Sequence, residues 1–474
     1  DLSARQAQVD DDSILPKVEL SDVPATLPEP TFTKTELHGM PFTTYGQGTN
    51  GIVYQQGTAP LPALSEEQLQ ILPLYTNILT DVGLGDQSYM EVQERQAATV
   101  GSIAGFVSMR GHADDEQRVS ANFTLSSKAL LRNARDQAQL MSDTLHRVKF
   151  SETSRIRDLV NQQRARRDQS ITGSGHSLAM AAASAGMSPL ANMHHHQSGL
   201  AGIRQLRILD DSLADDTRLE AFALEVQKLH ETLISTPMQF LVIAEDHKVT
   251  DVARDISTLW SQVSTGEDRP RFQMTPIREQ RGEIWLTNTQ VNFCARAYPT
   301  VTEQHPDAAA LTVLGGFLRN GFLHRAIREQ GGAYGGGASH DSGIAAFRFY
   351  SYRDPRLVET LQDFDASVSW LLDTSHDDRS LEEAILGVIG SMDKPGSPAG
   401  EAKQHFHNRL FGRNHETRER FRENILGVSL DDLRRVTETY LRPDLASTAI
   451  VTNSGQLEAT ASLREELNLT VQEL

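Results

Sequence analysis

Residues 321–355 read GFLHRAIREQGGAYGGGASHDSGIAAFRFYSYRDP. Phe322, Leu323, Ala326 and Ile327 recur at helical spacing and make one apolar face. Gly331 and Gly332 end that helix in the way left-handed caps require. A strand then begins in which Tyr334 is the only large side chain before the turn, with glycines clustered around it. Glycine weakens a strand without a packing gain, so the pattern points to a close backbone approach or to a segment that moves. Arg328 lies in the last helical turn, six residues before Tyr334, and both reach the same side of the helix–strand junction. Plainer readings stand beside this one. Arg328 could complement the negative end of the helix dipole, Tyr334 could be a core aromatic, and the glycines could serve only a tight hairpin.

Outward from this stretch, the order of elements is informative. Gln290–Tyr298 (QVNFCARAY) has strand character, and His305-Pro306-Asp307 opens a helix carrying Leu311, Leu314, Phe317 and Leu318. Ala333–Ser339 and Ile344–Tyr352 make a hairpin. Asp354-Pro355 then places an N-cap and a proline at the first helical position. The same order occurs earlier in the chain. Thr49–Gly57 is a strand, Ser65-Glu66-Glu67 opens a helix with Leu69, Leu72, Leu74 and Ile78, and a second helix runs through Tyr89–Ala98. A hairpin over Thr99–Arg110 and Arg118–Ser126 leads into further helices, and short strands at Gln239–Ala244 and Ser447–Thr452 come late in each half. An offset of roughly 226 to 240 residues predicts a duplicated α+β domain. The expected division is a proline-rich strap at 1–35, one domain at 36–265, a linker at 266–288 and a second domain at 289–474. The strap carries Asp10-Asp11-Asp12, Pro16, Pro24, Pro28 and Pro30, which resist helix and central strand alike. It reads as a connection from an upstream segment, or else as a floppy terminus. The first residue is Asp1 rather than Met, as expected of a chain processed, trimmed or cut from something longer.

Composition narrows the function. The chain has 474 residues, 63 acids against 45 Lys and Arg, and a net charge of −18. Such a surface disfavours nucleic acid and anionic membranes, because phosphate binding needs clustered positive charge. No apolar run of membrane-spanning length occurs. Cys294 is the single cysteine, so no internal disulfide forms, and a reducing compartment, cytoplasm or organellar matrix, is expected.

Missing motifs narrow it further. A helical zinc site needs two histidines at i and i+4, as in H-E-x-x-H or H-x-x-E-H, and none of the 16 histidines has such a partner. Neither G-x-S-x-G nor a P-loop occurs. His194-His195-His196 could ligate a metal, but its flanks read as loop, which favours a solvated role. His405 and His407 are two apart and face away from each other, which favours a structural role. No metal ligands are therefore assigned within this chain.

The segments IREQGGAYGGG and YSYRDPRLVETL resemble the C-terminal half of the presequence-protease branch of the pitrilysin/insulinase (inverzincin) zinc metallopeptidase family. The similarity extends from the strap through TNGIVYQQ to the helix ending at Tyr440-Leu441, and is looser over Arg164–Arg167 and the His run. The resemblance implies a processing-peptidase-like fold, with two homologous α+β domains, each a mostly antiparallel sheet covered by helices, forming one half of a clam-shell around a chamber. It implies that zinc and the general base belong to an upstream half carrying H-x-x-E-H, so that this chain alone is inactive and its partners are that half and peptide substrates. Carried over residue by residue, the family's assisting arginine and tyrosine fall on Arg328 and Tyr334, with Gly332, Gly335 and Gly336 lying against the peptide. Two rivals are a non-catalytic scaffold of the same fold and a stand-alone peptide-binding module.

Overall fold

In the computed structural model, described over residues 17–261, 266, 269–458 and 460–474, two six-stranded mixed sheets carry the chain. The first contains β1 (Thr33–Leu37), β2 (Met40–Gly46), β3 (Ile52–Pro60), β4 (Ser102–Gly111), β5 (Val119–Leu130) and β6 (Gln239–Ala244), in the order β1-β2-β6-β3-β5-β4. The second contains β7 (Gly282–Leu286), β8 (Phe293–Pro299), β9 (Gly335–Asp341), β10 (Ala346–Tyr352), β11 (Ser447–Thr452) and β12 (Thr470–Glu473), in the order β12-β7-β11-β8-β10-β9. Five strands correspond one to one. β2 runs parallel to β6 as β7 does to β11, and the remaining pairs among these five are antiparallel in both sheets. The sixth strand differs. β1 folds back on β2 through His38 and Gly39, both at positive φ, whereas β12 returns from the other end of the chain and runs parallel to β7.

Period-two alternation divides each sheet between two cores. Along β6, Phe240, Val242 and Ala244 face one apolar cluster while Leu241 and Ile243 face another. Along β8, Phe293, Ala295 and Ala297 alternate with Cys294 and Tyr298 in the same way. Helices α1 (Glu66–Ile78), α2 (Tyr89–Thr99), α3 (Ala134–His146) and α4 (Thr153–Gly173) follow in the first unit, then α5 (Gly175–Ser184), α6 (Pro189–Gln197), α7 (Leu200–Ser212), α8 (Asp216–Ile234) and α9 (Asp246–Trp260). The second unit has α10 (Ala308–Leu318), α11 (Val358–Asp373), α12 (Asp378–Met392), α13 (Pro398–Leu410), α14 (His415–Leu426), α15 (Leu430–Tyr440) and α16 (Ala461–Glu466). Ser65 and Ser88 cap α1 and α2 by capping boxes, as the sequence pattern anticipates for Ser65.

The two units exchange helices. α5 of the first unit lies on β8, β10 and β11 of the second. In return, Ala399, Ala402 and Phe406 of α13 pack on Tyr45, Leu241 and Ile243 of the first sheet. Small residues make the first contact possible. A Cβ on Gly175 would stand 2.5 Å from the Phe293 ring, and Ala179 and Ala182 are fully buried. Gly175→Ala is therefore expected to destabilise the protein by about 1–2 kcal/mol. Overpacking against a rigid ring outweighs the gain in helix propensity, which is at most about 1 kcal/mol. The shift in urea midpoint measures this, and an unchanged or higher midpoint would contradict it.

Three expectations are corrected. Residues 282–286, placed in the linker, form β7 between β11 and β12, with Ile284 and Trp285 buried. This five-residue strand is held by partners far away in sequence, so local pattern does not reveal it. Asp354-Pro355 does not start a helix; α11 begins at Val358. The fully buried Asp354 carboxylate instead accepts from the Arg356 N–H (3.0 Å) and the Thr360 hydroxyl (2.7 Å), bracing the approach to α11. The His run is helical, in α6, and His195 is buried against Trp285.

Asp10–Asp12 and Pro16 lie outside the described residues. From Lys17 the strap follows the second unit: Leu20 N–H donates to Glu382, Arg422 donates to the Ala25 carbonyl, and Glu29 bonds His405. Among the described residues no helix is long and apolar enough to cross a membrane.

Candidate functional site at the helix–strand junction

α10 continues without a break into Arg319–Gln330, which is wound as a π-helix. Such i→i+5 winding is rare beyond a single turn and recurs at functional positions. Leu323, Ala326 and Ile327 anchor it to the core, leaving Arg328 exposed. Gly331, at φ −81, is not the left-handed cap the sequence pattern suggests; it is glycine because a Cβ there would meet the Arg356 guanidinium, which bonds the Ala326 carbonyl (3.3 Å) and Asp363 (2.8 Å). Gly332, at φ 77, then reverses the chain. The Tyr334 N–H bonds the Tyr352 carbonyl at 3.0 Å and leads into β9.

The result is a tyrosine held by its ring, with no bond to its hydroxyl from the described residues. Tyr334 is 67% exposed in a chain whose other tyrosines include fully buried ones. Its ring meets Tyr352 edge-on (centroids 5.4 Å apart, 90°), and the Arg328 guanidinium carbon lies 5.9 Å from its centroid. Arg353, also exposed, sits 5.4 Å from the Tyr352 ring. Among the described residues, neither the Tyr334 hydroxyl nor the Arg328 guanidinium has a hydrogen-bond or carboxylate partner. Two cations and a phenol thus face outward together on a strongly acidic chain, an arrangement suited to binding a carbonyl oxygen or developing negative charge.

The three glycines have different reasons. Gly332 is required by its backbone angle. Gly336 is required by packing, since a Cβ there would lie 2.8 Å from Ile327 Cγ2. Nothing lies within 4 Å of a Cβ on Gly335, so that glycine has no internal cause and leaves open space beside Tyr334. The sequence reading missed Tyr352, Arg353 and Arg356, which support the pair. Their signal was present in SYRDPR, but only the strand pairing places it under Tyr334.

The other candidates fall elsewhere. His195 is 2% exposed, and burial, with His196, Arg281 and Arg204 nearby, pushes its pKa down to about 3; His196 bonds the Asn192 carbonyl on its own helix. His405 bonds Tyr45 and Glu29, and His407 bonds Gln56, so both are structural. Burial raises the Cys294 thiol far above its usual range, which keeps it inert. Among the described residues no group of three or more His, Cys, Asp or Glu converges to hold a metal ion. A cleft of about 920 Å³ between the units, lined by Arg110, Glu303, Arg319, His340 and Arg413, does not include Arg328 or Tyr334.

Comparison with known proteins agrees with this architecture. The family model for the associated domain of peptidase family M16, subfamily C, matches residues 1–209, and the PreP C-terminal domain matches 282–448. The mitochondrial presequence protease of Danio rerio is 28% identical over 93% of this chain, and that of Yarrowia lipolytica is 27% identical over 93%. The chain covers only 45% and 44% of those proteins, so it spans less than half the length of the curated relatives it matches. Among solved structures, the peptidase M16 inactive domain from Pseudomonas fluorescens superposes with a TM-score of 0.62 at 13% identity, covering 90% of this chain and 98% of that one. A conserved protein from Enterococcus faecalis gives 0.67 at 14%, covering 89% and 99%; both show the fold alone. With two M16-related family models matched along successive parts of the chain and presequence proteases aligned over nearly all of it, this polypeptide resembles the C-terminal half of a presequence-protease-type M16 peptidase.

Proposed function

We propose that the chain is the C-terminal half of a zinc-dependent endopeptidase that degrades unfolded oligo- and polypeptides inside a closed chamber. The observation that carries the proposal is the outward-facing pair, an exposed Tyr334 beside Arg328, whose hydroxyl and guanidinium have no hydrogen-bond or carboxylate partner among the described residues. Tyr334 donates a hydrogen bond to the oxyanion that forms at the scissile carbonyl. Arg328 holds substrate carbonyls and orients the phenol from above its ring. Gly332, Gly335 and Gly336 let the peptide backbone lie close to the junction. Zinc and the general base come from the N-terminal half; no step at a metal is assigned to residues of this chain. Mitochondrial and chloroplastic names among the relatives favour an organellar matrix, and the single buried cysteine suits a reducing compartment.

The test is reassembly. The purified chain is expected to hold no stoichiometric zinc and to leave an unfolded peptide intact. Co-expression with an M16 N-terminal half carrying H-x-x-E-H is expected to give zinc-dependent cleavage. Tight zinc binding or cleavage by this chain alone would overturn the proposal. A well-formed complex with no turnover would instead assign the scaffold role.

A further inference from the structure

Four strands form the sheet edges: β1 and β4 in the first sheet, β12 and β9 in the second. A free edge presents a row of unpaired N–H and C=O groups, and proteins usually blunt it with charge, brevity or a cover. β1 carries Lys34 and Glu36, β12 has four residues and ends at Glu473, and β9 carries His340 and Asp341. β4 is different. It has ten residues, and the eight from Ser102 to Met109 (SIAGFVSM) contain neither a charge nor a proline.

Both faces of β4 are covered over part of their length, with Ser102 and Ala104 exposed. Ile103, Val107 and Met109 pack on the first unit's core. Phe106 meets His407 of α13 on the opposite face, and Arg110 bonds Asn408 at 3.0 Å. The inner edge is paired with β5 along its whole length. Among the described residues, no backbone or side-chain group bonds the main chain of residues 103–110 on the outer edge. The end of the strand, Met109 to Gly111, runs into the cleft between the units. Arg110 there bonds an amide and lies over the Phe411 ring (5.1 Å), and among the described residues it has no carboxylate within ion-pair distance; burial and Arg413 lower its pKa, and Glu303, which is paired with Arg413 (2.8 Å), opposes them only from further off. The duplication places β4 where the second unit has β9, the strand that follows Tyr334.

We infer that the open edge of β4 is a second peptide-docking site, which takes an extended peptide as an added strand, uncharged along its centre and carrying a carboxylate at the cleft end near Arg110. A row of alternate main-chain donors and acceptors is complementary only to another extended chain, and such augmentation draws its affinity from main-chain hydrogen bonds. The inference rests on the reading that this chain handles peptides, and deepens it. A site some way from Arg328 and Tyr334 would hold one stretch of a long substrate while another is cut.

The probe is a fluorescein-labelled ten-residue peptide of alternating threonine and valine ending in aspartate, titrated into the intact 474-residue chain. Two further versions are N-methylated at odd or at even positions, because only one set of amides can face β4. One methylated version is expected to lose about tenfold or more in affinity while the other binds like the parent. Hydrogen exchange of alternate amides within 103–109 is expected to slow when the parent peptide is added. Ala104→Lys with Ser108→Lys is expected to weaken binding while leaving the circular dichroism spectrum unchanged. Equal binding by both methylated versions, or no change in exchange at saturation, would defeat the inference. So would amides along the outer edge that exchange slowly in the free chain, which would mean that another segment or a second copy already covers β4. If the reassembled enzyme cleaves peptides but β4 shows no protection, the proposed function stands and the docking site falls.

Discussion

Replacing Tyr334 by phenylalanine is expected to lower the turnover number of the reassembled peptidase about 10²–10³-fold, the usual cost of one oxyanion donor. The ring would remain, so the edge-on contact with Tyr352 and the Arg328 guanidinium above it would be preserved. Only the hydroxyl disappears, and it has no partner within the described fold. The substitution is therefore expected to change stability by no more than about 0.5 kcal/mol, as for other exposed positions. KM is expected to move little, because the lost bond forms on the reacting carbonyl as it becomes tetrahedral. Arg328→Ala is expected to act differently, raising KM as well as lowering turnover, since in the proposed role the guanidinium would hold ground-state carbonyls too. Steady-state kinetics on both variants, with zinc content measured alongside, distinguish the two roles. Wild-type turnover in Tyr334→Phe would remove that hydroxyl from the mechanism.

Acidification from pH 7 to pH 5.5 is expected to cost about 2–3 kcal/mol of folding stability through two buried histidines. His230 is 5% exposed and held between two fixed partners. Its Nε2–H donates to the Leu145 carbonyl (2.9 Å), since a carbonyl can only accept, and its Nδ1 accepts from the Tyr75 hydroxyl (2.9 Å). Burial lowers its pKa from 6.5 to about 4. His195 is lowered to about 3 by burial, with His196, Arg281 and Arg204 adding to the effect; Glu283 stands 4.0 Å away, with one carboxylate oxygen bonded to the Trp285 indole. Both groups bind a proton more readily in the unfolded chain than in the folded one. Their contribution is fully present above the unfolded value near 6.5 and is lost progressively as pH falls from there toward 4, and toward 3 for His195. Each costs about 1.4 kcal/mol per pH unit below roughly 6.5. Urea midpoints across this range check the slope, and His230→Gln is expected to flatten it. A stability that stays constant from pH 7 to 5.5 would show that these rings are not held neutral by burial.

Several features of the molecule were legible in its residues alone. The repeat of strand, helix and hairpin implied a duplicated α+β domain, because amphipathic period and turn chemistry are local properties. The cluster of Arg328, glycine and Tyr334 stood out for the same reason: glycines flanking a large aromatic conflict with strand propensity, and local rules register the conflict. The absence of a two-histidine spacing was equally readable. What lay beyond reach depended on contacts between residues far apart in sequence. β7 is a strand only because β11 and β12 flank it, and His195 is buried only because α6 lies against Trp285 of the second sheet. The exchange of α5 and α13 between the units has no local signature beyond their small residues. The separate causes of Gly332, Gly335 and Gly336 follow from a backbone angle, an open space and Ile327, and a one-dimensional reading sees three identical residues. Local composition determined which elements form and which chemistry is on offer; tertiary packing decided which of those side chains face water and which are spent inside, because burial is a property of the partner surface as much as of the residue itself.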